Sequence, residues 1–351
     1  MLRAFLNRKK TRKLSEVSDV RLAEEYDFIV KSKAHLDGLE KIRKVKLRSY
    51  KWRKNIAVPV AVVITPVLGY VDYMLLFLQS GDDRGAGLTV LALGALYAWV
   101  THPRRQYAKA YKLKILPRLA TLFGDFTYDL KGKIAIYKMQ PSKILPSHDR
   151  CDSEDYFSGM YKGVDIEFSE VDFKQRRRSK NRTYYVSVFK GLVILLDMNT
   201  KKFYGHTMLD KNKGKIGEWF KQKSSNLKRA NLVDPAFEKI FDVYTNDQVE
   251  ARYLIDPVMI ERLKGLQMEY GGEGMTAAFY DSKMLILIES KHNYFEPAAL
   301  EIPATDPRSI LSMKKEIGEI LSLIDRLDLY DPQKVREENN LTLDNVESGV
   351  V

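Results

Sequence analysis

Cysteine is nearly missing from this chain: Cys151 is the only one in 351 residues. An internal disulfide is excluded, and so is a cysteine-cluster zinc site; the usage suits a reducing compartment. Histidine is also scarce. His35, His102, His148, His206 and His292 are scattered, with no pair four apart to serve a helical metal site. Phosphate-binding GxxxxGK[ST], dinucleotide GxGxxG, HExxH and GxSxG are all absent, so those chemistries have no foothold here. His148-Asp149 with Cys151 has the residue types of a nucleophile or metal ligand but no third partner nearby. Asp152, Glu154 and Asp155 read as a solvated surface. No catalytic residue, metal site or cofactor is assigned.

Long apolar runs, by contrast, are present. Ile56 to Leu78 is 23 residues, and at about 1.5 Å rise per residue it reaches roughly 34 Å, enough to cross a hydrocarbon core. Gly85 to Thr101, 17 residues, sits at the short end of the spanning range. The polar stretch Gln79 to Arg84 separates them. These runs predict a two-helix transmembrane hairpin over 55–101 (56–78 and 85–101); a buried hairpin of a soluble domain is the bland alternative. Basic residues crowd Lys41 to Lys54 and recur at Arg104, Arg105, Lys109, Lys112 and Lys114, so both termini are expected in the cytoplasm. Tyr50, Trp52, Tyr97, Trp99 and Tyr107 suit the headgroup layer on that side. Pro59 and Pro66 are expected to interrupt the first helix. Asp72, the lone acid in the spans, is either an intramembrane polar site or a carboxylate reaching the outer interface.

The rest of the chain divides around the hairpin. Residues 1–14 form a basic N-terminal tail without the apolar core of a signal peptide. Residues 15–54 read as a stalk helix carrying Leu22, Tyr26, Ile29, Leu36 and Leu39, and 102–147 as a second stalk helix and linker. The stripe needs a partner: another copy, the following helix or the cytoplasmic domain. Residues 148–330 read as an α+β cytoplasmic domain with antiparallel strands, and 331–351 as a flexible acidic tail. Val164 to Phe173 alternates as a half-buried strand, and Thr183 to Asp197 is strongly β-forming. Met275 to Tyr280 and Lys283 to Glu289 form a hairpin across Asp281-Ser282. Asn246 and Asp247 can cap a helix through Leu254, Asp256-Pro257 restarts it, and Asp306 caps Pro307 to Leu327.

The formal net charge of +12 calls for an anionic partner. Lys174, Arg176, Arg177, Arg178, Lys180 and Arg182 concentrate it in what reads as a hairpin loop, and a second cluster runs from Lys211 to Arg229. Anionic headgroups or nucleic acid could be met there, or the loop could simply be solvated, with nucleic acid ranking last.

The run FEKIFDVYTNDQVEARYLIDPVMIERLKGL, Phe237 to Leu266, is similar to a segment of a bacterial family known only as a domain of unknown function. Val188 to Met198, Phe203 to Asp210 and Asn293 to Pro297 look like that family's neighbouring blocks, so the resemblance covers Tyr156 to Leu327. Members resemble this chain in carrying two membrane helices ahead of a cytoplasmic domain, which implies a bacterial inner-membrane setting and brings no chemistry. The expectation is a membrane-anchored scaffold or adaptor that recruits a protein partner, with homo-oligomers possible through the stalk helices. A tethered module binding anionic lipid or nucleic acid is second, and an enzyme with an unrecognised site third.

Overall fold

The computed structural model describes residues 26–78, 87–179, 182–198, 202–210, 227–230, 235–270 and 274–327. They fall into two compact units: residues up to Leu116 with Glu296–Met313, and Pro117–Phe295 with the residues from Lys314 on.

The first unit is built on helix α1 (Tyr26–Leu78) and helix α2 (Leu88–Lys114). The 53-residue α1 joins the expected stalk and the expected first span in one helix. It also runs through Pro59 and Pro66 without the expected interruption. Each proline deletes one amide donor, and in so long a ladder the flanking bonds hold the turn. The helices run antiparallel: Lys46 Nζ bonds Gln106, Arg53 donates to the Trp99 carbonyl (2.8 Å), and Asp72 meets the start of α2.

Among the described residues, one helix, over Leu36–Leu75, is long and apolar enough to cross a membrane. The apolar part of α2, residues 88–101, is shorter, and the join over 79–86 lies outside the described residues, so the expected pair of spans is met only in part. What distinguishes the apolar stretches is exposure. Val62 is 69% and Val90 74% accessible, with Val58, Val63, Val67 and Leu91 similar, whereas a core helix would bury them.

Below the apolar stretches, Ser32, Leu36, Leu39 and Arg43 recur by four and three along α1 and are buried. Of the expected stripe, Leu36 and Leu39 are buried within the chain, Tyr26 is exposed, and Leu22 lies outside the described residues. Segment 296–306 straps across it: Arg43 Nη1 donates to the Leu300 carbonyl (2.7 Å) and the Ala304 amide donates to Glu40 (2.8 Å). The strap also reaches α2, through Arg104 to Glu301 (2.6 Å) and Lys112 to Glu296 (2.7 Å).

The second unit is a sheet. Its strands are β1 (Thr127–Asp129), β2 (Arg150–Tyr161), β3 (Val164–Ser179), β4 (Arg182–Asp197), β5 (Thr207–Asp210), β6 (Lys228–Arg229), β7 (Asp242–Thr245), β8 (Met275–Tyr280) and β9 (Lys283–Glu289). Among the described residues they form one nine-stranded sheet, ordered β1-β2-β3-β4-β9-β8-β5-β7-β6, with every pairing antiparallel. The central runs of β4, β8 and β9 are apolar at successive positions because both faces are covered. On one face Val193, Leu195, Leu285 and Leu287 pack with Ile134, Met139, Ile144 and Leu145. On the other, Phe157 stacks on Phe168 (centroids 4.7 Å apart) and Phe295 rests against Phe157.

One expectation changes here. Segment 117–147, read as the end of a stalk and a linker, supplies edge strand β1 and the four core side chains just named. On β3, Glu170 is buried on the face of Ile166 and Phe168, and its carboxylate accepts the Tyr294 amide (3.0 Å) in the loop that covers it.

Helices α3 (Gln248–Leu254), α4 (Pro257–Tyr270) and α5 (Pro307–Leu327) start at the expected caps. Asp247 accepts from the Val249 and Glu250 amides, Asp256 from Met259 and Asp306 from Arg308. Asp281 and Ser282 adopt positive φ (48° and 56°), as a tight primed turn between β8 and β9 requires.

Candidate functional site

β3 and β4 are each 16 residues, about 50 Å when extended, and outrun the core. Their inner halves are buried. A bulge after Phe173 marks the departure: Phe173 opposes Phe189, Lys174 opposes Ser187, and Val188 is the extra residue. Beyond it the two strands project as a ribbon roughly 20 Å long. The basic run expected as a loop is therefore paired backbone, with Arg176 opposite Tyr185, Arg177 opposite Tyr184 and Arg178 opposite Thr183. Alternation had hidden it, because a strand exposed on both sides has no buried phase.

Cross-strand register sorts the ribbon's side chains. One face carries Lys174, Arg176, Arg178, Thr183, Tyr185 and Ser187; the other carries Gln175, Arg177, Ser179, Arg182, Tyr184 and Val186. Tyr184 and Tyr185 are half exposed, at 51% and 50%. Lys180 lies outside the described residues, as do Lys211 to Lys223 of the second basic cluster. Of that cluster, Arg229 pairs with Asp242 at 3.3 Å.

Among the described residues, carboxylates compensate the ribbon's charge only at its root. Lys174 Nζ reaches Asp152 (2.7 Å) and Asp172 (3.2 Å), and Arg150 Nε reaches Asp152 (2.7 Å). The Lys174 and Arg150 hydrogen bonds hold the Asp152 carboxyl below the usual range, and Asp152 pushes the Lys174 ammonium up. Farther out, Arg176, Arg177, Arg178 and Arg182 have no carboxylate partner among the described residues.

His148, Asp149 and Cys151 are committed elsewhere. The His148 ring bonds the Pro146 carbonyl (2.8 Å) and lies against Phe173, while Asp149 accepts the Arg176 amide (2.7 Å). Burial pushes the Cys151 thiol up, against the activation a nucleophile needs. Among the described residues no group of three His, Cys, Asp or Glu side chains is arranged to hold a metal ion.

A polar cleft of about 420 Å³ escaped the sequence reading. Lys138, Tyr156, Asp165, Glu167, Asp197 and Lys283 line it. Glu167 is already satisfied by Lys138 and by the Tyr156 hydroxyl, which donates at 2.8 Å, and it raises the Lys138 pKa. The lining comes from five separate stretches of chain, so no local motif announces it.

Asp72 has a clear structural task. Its oxygens accept the Leu88 (3.2 Å) and Thr89 (3.0 Å) amides, capping α2 from the neighbouring helix. Gly87, which precedes α2, has no side chain to do so.

Residues 187–329 match the family described as "Protein of unknown function (DUF3137)". The match runs from the outer part of β4 past the end of α5, so it takes in the segment Phe237–Leu266 and the strap but leaves out the helical pair and β3. No curated protein matches the chain. Among solved structures, the mycobacterial trehalose monomycolate transport factor A, TtfA, aligns with 65% of this chain and 94% of its own at 10% identity. The TM-score is 0.30, too low to transfer fold or function.

Proposed function

We propose that this protein is a membrane-anchored scaffold: α1 and α2 cross the bacterial inner membrane as a hairpin, both termini are cytoplasmic, and the sheet unit recruits a protein partner there. One observation carries the reading. The apolar stretches of α1 and α2 lie side by side with their valines and leucines exposed, a solvation that suits lipid and penalises water. The ends of these stretches agree with it. Arg53 lies over the Trp99 ring (5.0 Å), Arg104 over Tyr50 (4.1 Å), and Trp52 meets Trp99 edge-on, a cation and aromatic layer suited to headgroups. Asp72, at the far end, marks the opposite interface. The span of α2 is short, which local thinning accommodates.

The anchor is tested by washing membranes with alkaline carbonate: the full chain is expected to stay in the pellet, and release into the supernatant would end the reading. Recruitment is tested by photocrosslinking from Tyr204 and Tyr253, both exposed on the sheet unit. A discrete heterologous adduct is expected; only lipid adducts or none across both sites would remove the scaffold role. The ribbon's arginines, which have no carboxylate partner among the described residues, favour a second reading, a tethered module that binds anions.

A further inference from the structure

The ribbon has features that a solvated hairpin does not require. Both faces present the same pairing of arginine and tyrosine, so neither face is reserved for the protein's own core. Val186 and Val188 are exposed beside them. The root is neutralised by Asp152 and Asp172, which leaves the positive charge on the outer part. An element so equipped is matched to a medium that surrounds it, is anionic, and has an apolar boundary within reach.

We propose that the outer ribbon docks on an anionic lipid leaflet through Arg176, Arg177, Arg178 and Arg182, with Tyr184 and Tyr185 seated at headgroup level. Charge complementarity identifies the occupant, together with the exposed tyrosines and valines, which suit the headgroup–acyl boundary. A nucleic-acid groove would match the arginines and leave the valines in water. The inference rests on the anchoring proposed above, which supplies a leaflet to every molecule, so binding is intramolecular and a modest intrinsic affinity suffices. Pinned in this way, the sheet unit would hold one fixed side toward the membrane and keep the other for its partner.

The test uses the full chain with Cys151→Ser and a nitroxide at Ser179→Cys, an exposed ribbon position. It is reconstituted in nanodiscs of phosphatidylcholine alone, or of equal parts phosphatidylcholine and phosphatidylglycerol. Anionic lipid is expected to lower the nitroxide's accessibility to a water-soluble nickel complex and raise it to oxygen, with added salt reversing the change. Arg176→Gln, Arg177→Gln and Arg178→Gln together should shift the docked-to-free ratio by about fivefold per charge, on the order of a hundredfold in all. An unchanged unfolding midpoint in that variant confirms that the loss is not misfolding. Equal accessibility in both lipids, or shielding that survives the triple substitution, overturns the proposal. Shielding by a single-stranded oligonucleotide without any response to phosphatidylglycerol overturns it in favour of nucleic acid. A chain that does not co-elute with the discs sinks the anchor and this inference with it; co-elution without lipid-dependent shielding sinks this inference alone.

Discussion

Replacing Arg43 with methionine should release the strap from α1. Arg43 is 5% exposed, and each of its three guanidinium nitrogens donates to the fold. Nε and Nη2 meet the two Glu40 oxygens, each at 2.7 Å, and Nη1 meets the Leu300 carbonyl at 2.7 Å. The same carboxylate accepts the Ala304 amide. Methionine keeps much of the volume, so the loss is electrostatic: Leu300 O loses its donor and the Glu40 charge loses its counterion. Breaking a buried pair from one side costs about 3–5 kcal/mol. Here the Glu40 side chain keeps 15% exposure and Lys44 stands 4.0 Å away, so we expect the low end or less, about 2–3 kcal/mol. Hydrogen exchange on the full chain reads this locally. If the Ala304 amide exchanges through strap opening, its rate should rise about 30- to 150-fold. The double variant Glu40→Gln, Arg43→Met should recover part of the protection, because no bare charge remains. Unchanged protection at Ala304 in the single variant would refute the claim that this cluster fastens the strap.

Three further outcomes follow from single contacts. Asp72→Ala removes both acceptors at the start of α2 and should cost about 1 kcal/mol, read as a lower thermal midpoint of detergent-solubilised protein, with Asp72→Asn recovering part; equal midpoints would return Asp72 to an unassigned role. A Cβ on Gly191 would sit 2.0 Å from the Ile288 carbonyl oxygen, so Gly191→Ala must part β4 from β9 and cost about 3 kcal/mol or more in urea unfolding, whereas Gly265→Ala on α4, with open space around it, should stabilise by about 0.5–1 kcal/mol. Burial, opposed by its bond to the Ser142 carbonyl (2.7 Å), lowers the His206 pKa below the ordinary 6.5. Below pH about 6.5 the unfolded chain therefore binds the extra proton first, and stability should fall as pH drops toward the depressed folded value. His206→Gln keeps a donor for Ser142 and should flatten that dependence of the urea midpoint; an unaltered slope would assign it to other groups.

Where a signal is local, the sequence carried it. Asp281-Ser282 between two apolar runs fixed the β8–β9 turn, and Asp247, Asp256 and Asp306 marked helix starts because a carboxylate can reach an amide two or three residues on. Ile310, Met313, Ile317, Ile320, Ile324 and Leu327 recur along α5 at steps of three and four, and all are buried. Non-local features did not show. Arg43 and Leu300 are 257 positions apart, so neither the strap nor the burial of Arg43 could be read from the charged run around it. Residues 102–147 read as a stalk helix and linker, the joint falling on Gly132 to Ser147 with its Pro141 and Pro146, though Ile134, Met139, Ile144 and Leu145 from that joint cover the sheet. The basic run read as a hairpin loop is paired strand through Arg178, which did not show because a two-sided solvent-facing strand lacks the period of two that betrays a half-buried one. Asp72 was recognised as exceptional, but the amides it serves belong to another helix.

The central claim, a lipid-embedded helical pair with the sheet unit on the cytoplasmic side, is tested most directly by two-sided thiol labelling. In a Cys151→Ser background, single cysteines replace Ser80, between the helices, and Tyr204, which is 89% exposed on the sheet unit. Treated with a membrane-impermeant maleimide, intact spheroplasts should label the cysteine at 80 and spare the one at 204, and lysis should expose both. Labelling at 204 before lysis would contradict the orientation, and identical labelling of both sites in every sample would contradict the membrane crossing itself.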